Sequence, residues 1–220
     1  VATNTVVLTA KGREIYQNRI GANGGSFSEP KQLGWGTGGI AGGPFTAAVT
    51  DVGMFQEAAE ARVAGTPSVQ TTTTTNDTYQ VVGTITSASA QTISEVGLYP
   101  SATKPATNTV AAGGVVGSSS ATTLNTGSTF SPGTNSYVQV RTEVMEVTAG
   151  SGTTALTVVR GANGSTAIAS IAAADIVTAG NAPGSEVVTN GDMFLHASSV
   201  PGLALNNGDS LQSTIQLKIT

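Results

Sequence analysis

The C-terminal segment constrains the fold most. Leu211, Ile215, Leu217 and Ile219 alternate with Gln212, Thr214, Gln216, Lys218 and Thr220, so an extended chain here has one apolar and one polar face. Asn207-Gly208-Asp209 just before it is a turn signal. A terminal strand of this regularity is tied into a sheet rather than left loose. The chain must therefore supply partner strands elsewhere.

Period-two segments occur along most of its length. Residues 78–86 alternate, with Tyr79, Val81 and Ile85 on one face, and residues 93–99 read as the neighbouring strand across a hairpin loop at 87–91. Residues 137–140, 143–147 and 156–160 read as further strands, with 161–164 as a turn, and 193–196 as a later one. Residues 7–20 are the best helix candidate, capped by Thr9 and ended by Gly21 in a left-handed conformation. A short helical turn over 51–59, capped by Asp51, is also expected. Nine glycines with Pro30 and Pro44 make most of 21–44 loop, apart from a short strand at 31–35.

Two stretches are looser. Residues 100–133 are rich in Thr, Ser, Ala and Gly, with little to bury beyond Val110, Val115, Val116, Leu124 and Phe130, and 178–190 are similar. They flank the central strands. The expected fold is therefore mainly β: an antiparallel β-sandwich or barrel host domain with one N-terminal helix, interrupted by a small inserted β-domain. The host takes residues 1–100 and 186–220, and the insert 101–185.

Composition narrows the function classes. Charged residues are only 10% of the 220, against roughly 25% in an ordinary soluble domain. No apolar run approaches the ~20 residues of a membrane-spanning helix. The abundance of Val, Ile and Thr with a net charge of −4 argues against disorder. What fits is a β-protein surfaced with hydroxyls and packed against neighbours. Without cysteine there is no disulfide framework or thiolate metal site. The N-terminal residues show no basic and apolar export signal. Nine basic residues are scattered from Lys11 to Lys218, so no nucleic-acid surface is expected.

Motifs for chemistry are sparse. His196 is the single histidine, with no carboxylate close in sequence, and it reads as an exposed or interface strand residue. No G-x-S-x-G elbow exists to hold a serine nucleophile. Residues 34–39 contain G-x-G-x-x-G, but Ile40-Ala41-Gly42-Gly43-Pro44 after it cannot form the helix that receives a pyrophosphate. This segment reads as a loop in which Trp35 packs. Glu57, Glu60 and Arg62 read as a capping and salt-bridging group, and Arg62 as a candidate partner, across strands or across subunits, of Glu95, a carboxylate inside a strand. Asn76-Asp77-Thr78 and Asn163-Gly164-Ser165 match glycosylation sequons and read as turns. No catalytic, cofactor-binding or metal-ligating residue is assigned, and the chain is expected not to be an enzyme.

Two groups of segments carry a resemblance. Leu-Gly-Trp-Gly-Thr-Gly at 33–38, Glu-Ala-Ala-Glu-Ala-Arg-Val-Ala-Gly-Thr at 57–66 and Asn-Asp-Thr-Tyr-Gln-Val-Val-Gly-Thr at 76–84 come first. Ile-Ser-Glu-Val-Gly-Leu-Tyr at 93–99, Phe-Leu-His-Ala-Ser at 194–198 and Leu-Asn-Asn-Gly-Asp-Ser-Leu-Gln at 205–212 follow. This order resembles small structural proteins encoded among the virion-assembly genes of tailed bacteriophages, over most of 5–99 and 190–220. The segments around 137–140, 143–148 and 156–167 are similar to an accessory β-module of phage tail and surface proteins. Where that module more often has a histidine, this chain has Ala169-Ser170.

The resemblance implies a virion component, most like a capsid decoration or cement protein. Such a protein would lie on the outer capsid surface, bridge major capsid protein subunits and form a homo-oligomer, with a trimer as the guess. It would be assembled in the host cytoplasm and need no cofactor, metal, membrane or nucleic acid. The polar arm at 1–7 could add as a strand to a neighbour. A tail, collar or adaptor component is the alternative, and a host-glycan-binding protein a further one. The 5% aromatic content with one Trp counts against the last.

Overall fold

A computed structural model describes residues 5–21, 27–38, 45–114, 116–133, 136–181 and 192–218. The fold is mainly β, and the described residues form one N-terminal α-helix and three antiparallel sheets. The first sheet has the order β1 (Thr5–Leu8), β13 (Leu195–Leu205), β6 (Gln91–Tyr99), β2 (Gln32–Gly36) and β3 (Val63–Ala64). A three-stranded sheet has the order β14 (Ser210–Lys218), β5 (Thr78–Thr86) and β4 (Thr66–Gln70).

The two sheets share one core. Leu33, Trp35, Ile93, Leu98, Leu195 and Leu205 from the first meet Val81, Ile85 and Ile215 from the second. Helix α1 (Ala10–Ile20) closes this core with Ile15. On β5, Val81 and Ile85 are buried and Tyr79 is half-buried, as the alternation requires. Burying such side chains contributes roughly 1.5–3 kcal/mol each.

Strands β7 (Thr107–Thr109), β12 (Ile176–Gly180), β9 (Ser136–Val140), β10 (Glu143–Ala149), β11 (Thr153–Val159) and β8 (Thr123–Phe130) form a six-stranded sheet in that order. Its outer strands nearly meet. Val110 bridges Thr126, Ala111 N–H donates to the Asn125 carbonyl at 3.0 Å, and the Asn108 amide reaches Ser128. The sheet is thus almost closed into a barrel, filled by Leu124, Phe130, Val138, Val140, Met145, Val147, Leu156, Val158, Ile171 and Val177.

Several expectations need correction. Residues 5–8 are strand, so the helix begins at Ala10 after its Thr9 cap, whose hydroxyl accepts the Gly12 N–H at 2.8 Å. Gly21 is extended (φ −61°) and not left-handed. Residues 51–59 form no helix, and several of their backbone N–H groups are taken by buried side chains instead. β5 and β6 are not a hairpin: β5 lies between β14 and β4, and β6 between β13 and β2. Residues 87–90 therefore pass from one sheet to the other. The short strand expected at 31–35 is β2, but it runs to Gly36, so 34–36 are strand and not part of the loop expected at 34–39, and Trp35 is 1% exposed. The stretch 100–133 is less loose than its composition suggests, because β7 and β8 close the barrel there. β12 likewise takes the start of the second loose stretch, and 182–190 lie outside the described residues, as do Val115 and 219–220. In the N-terminal arm, β1 pairs with β13 of its own chain through Val7↔His196, and residues 1–4 lie outside the described set.

Candidate functional site

The sheet places an ionisable cluster at its centre. β13 and β6 pair with His196 opposite Gly97 and Ser198 opposite Glu95. His196 and Glu95 are therefore diagonal neighbours on one face, within reach of long side chains. On the other side of β6, Glu95 is opposite Gly36 of β2. A Cβ at Gly36 would run into the Glu95 carboxylate and the Gln56 carbonyl, so only glycine leaves this space.

His196, Glu95 and Asp51 are all buried. His196 Nδ1 lies 2.7 Å from Asp51 Oδ2, and Nε2 lies 3.0 Å from Glu95 Oε2. Both ring nitrogens face carboxylate oxygens, and both must donate for the contacts to be attractive. That is the imidazolium form. Burial, the largest influence, disfavours the charge. The hydrogen bonds and the opposite charges of Asp51 and Glu95 outweigh it and raise the His196 pKa to about 9. The Phe55 ring packs beside the imidazole at 5.0 Å between centroids.

Both carboxylates take further hydrogen bonds. Glu95 accepts the N–H groups of Phe55 at 2.9 Å, Gln56 at 2.8 Å and Gly38 at 3.1 Å. Asp51 accepts Ala48 N–H at 2.7 Å and the Gln139 amide at 3.2 Å. Gln139, on β9 of the barrel, also accepts from Val52 N–H at 2.8 Å and Gly53 N–H at 3.2 Å. Asn163, beside β10, donates to the Thr50 carbonyl at 2.9 Å. The segment around 48–56 is thus held from both sides, by the first sheet through Glu95 and His196, and by the barrel through Gln139 and Asn163. These bonds replace the helix expected there.

Chemically the cluster is a clasp. Neither ring nitrogen is left to take a proton from a substrate, and the imidazole is fully enclosed. Among the described residues, no group of three or more His, Asp and Glu is arranged to hold a metal ion.

The other ionisable residues singled out in the sequence fall into a second cluster. Arg62 grips Glu57 with two nitrogens at 2.8 and 2.9 Å, lies over the Tyr99 ring at 3.3 Å and donates to the carbonyls of Ser101 and Thr103. It therefore fixes the chain leaving β6 towards the barrel. Glu60 accepts from Trp35 Nε1, Ala88 N–H and the Gln91 amide. Burial opposes its ionisation, yet these bonds hold its carboxyl below the usual range.

The anticipated Arg62–Glu95 pair is not formed, because each has the partners just given. Nor is His196 exposed. Asp77 sits in its expected turn, collecting the N–H groups of Thr72, Thr73 and Thr74, with Asn76 left-handed at φ 59°. Besides the His196 contacts, the sequence did not point to the buried pair Arg160–Glu143, both of whose nitrogen–oxygen contacts are 2.6 Å. A strand beginning on a carboxylate and another followed by an arginine were the available signal.

No protein-family model, curated protein or solved structure matches the chain.

Proposed function

We propose that the protein is a structural virion component of a tailed bacteriophage, binding the outside of the capsid and bridging major capsid protein subunits. The observation that carries this reading is where the charge lies. Lys11, Asp51, Arg62, Asp77, Glu95, Glu143, Asp175, Asp192 and His196 are buried, in a chain with only 10% charged residues. The outer faces are rich in small hydroxyls and amides: Thr71 to Asn76, Ser118 to Ser120, Thr123, Asn125, Ser128 and Thr129, Thr153 and Thr154, Gln212, Thr214 and Gln216 are exposed, beside the exposed charges Arg13, Arg19, Asp209 and Lys218.

Covering a hydroxyl or amide costs little once it finds a new hydrogen-bond partner, whereas each desolvated unpaired charge would cost several kcal/mol, as an order of magnitude. Interface cores are depleted of charge for this reason. The resemblance of the outer segments to virion-assembly proteins supports the same reading. So does the internal fastening, because a shell component must resist force without moving.

Capsids assembled without the protein should release DNA at a lower temperature than complete capsids. Equal heat resistance would overturn the proposal.

A further inference from the structure

The three-stranded sheet ends in two edges of different character. β4 is five residues long and carries Pro67, and proline in a sheet belongs to edges because it cannot donate to a ladder. β14 is nine residues long and aligned with β5 at every position from Ser210↔Thr86 to Lys218↔Thr78, with no bulge. It contains no proline, and its one charge, Lys218, is its last residue. Among the described residues, β14 pairs with β5 alone and no other backbone group bonds to it.

Exposed edges are normally guarded by shortness, charge, proline or bulges, because each is a template for a further strand. The first sheet ends in strands of four and two residues, and the six-stranded sheet nearly closes on itself. β14 has none of these protections before its final Lys218.

Its sequence says what fits. An antiparallel second copy that overlaps all nine positions is centred on Thr214. Leu211 then faces Leu217, Gln212 faces Gln216, Ser213 faces Ile215, and Ser210 faces Lys218. Because the centre is a residue, both copies keep the same facing. The half-buried Leu211 and Leu217 and the buried Ile215 continue one apolar side. Gln212 and Gln216 continue on the other side a row in which Gln216 already donates to Gln80 at 2.7 Å. No like charges oppose each other. We propose that β14 pairs with β14 of a second copy about a two-fold axis through Thr214, joining two three-stranded sheets into one. This pairing stands on the edge alone and is independent of the virion reading.

The chain has no cysteine, so Thr214→Cys would carry a single thiol. Across the axis its Cα would lie about 4.5–5.5 Å from its twin, within disulfide reach. Mild oxidation should give a covalent dimer. Gln212→Cys alone should not cross-link, since its twin lies roughly 13 Å away along the strand, but an equimolar mixture of Gln212→Cys and Gln216→Cys should. By light scattering the wild type should be a dimer, and Thr214→Lys should halve the mass with an unchanged circular dichroism spectrum. A monomeric wild type, or a trimer or other ring, would overturn the proposal. So would Thr214→Cys cross-linking no better than Gln212→Cys.

Discussion

His196 and Glu95 are 101 positions apart in the chain, and their Nε2 and Oε2 atoms are 3.0 Å apart in a fully buried site. With Asp51 on the other ring nitrogen, the histidine is charged because its neighbours are. A cation between two anions is the centre from which the 48–56 segment, the first sheet and the barrel are joined.

Stability should therefore fall at alkaline pH. The His196 pKa is raised from 6.5 to about 9, so its contribution is complete below about pH 6.5 and is lost as pH rises through 9. The size is on the order of 3 kcal/mol. Urea unfolding between pH 6 and pH 10 should show this loss in the wild type and a flatter profile in His196→Gln. Parallel profiles for the two proteins would sink the assignment.

Gln139→Leu should loosen the join to the barrel. It leaves the Val52 and Gly53 N–H groups without their acceptor and Asp51 without one donor, at a cost of about 1–3 kcal/mol. Hydrogen exchange should accelerate at Val52 and Gly53 while Val138 and Val147 in the barrel stay protected. Unchanged exchange at Val52 and Gly53 would contradict the account.

Breaking the Arg160–Glu143 pair should cost more from one side than from both. Glu143→Leu strands a guanidinium whose side chain is only 6% exposed, at about 3–5 kcal/mol. The double change Glu143→Leu with Arg160→Leu should be milder than that single change. A double-mutant cycle from denaturant titrations measures the coupling, and strict additivity would argue against a buried pair.

Gly36→Ala should disturb the clasp without touching a charge. The new methyl group meets the Glu95 carboxylate and the Gln56 carbonyl, and such overpacking costs about 1–3 kcal/mol. At Gly117 nothing lies within 4 Å of where a methyl group would stand, so alanine there should change the melting temperature little. Equal melting temperatures for the two variants would be the unfavourable result.

How much of this was legible in the sequence depends on distance along the chain. β14, β5 and the Thr9 cap follow from neighbouring residues, because alternation and capping are local. The false hairpin between β5 and β6 shows the limit: two good strands close in sequence read as partners, yet a sandwich can send them to opposite sheets. The helix expected at 51–59 failed similarly, since its N–H groups are claimed by Glu95 and Gln139 from distant strands. The cluster had signals, a carboxylate within Ile93 to Tyr99 and a histidine between Leu195 and Ala197. Each needed a partner, but only the sheet register identifies which.

The location of the protein on a virion tests the functional account most directly. The proposed function puts the chain on phage heads, so gold-labelled antibodies against it, applied to intact virions from its source, should decorate the heads at many copies per particle. Label confined to tails, or absent from virions, would contradict the account.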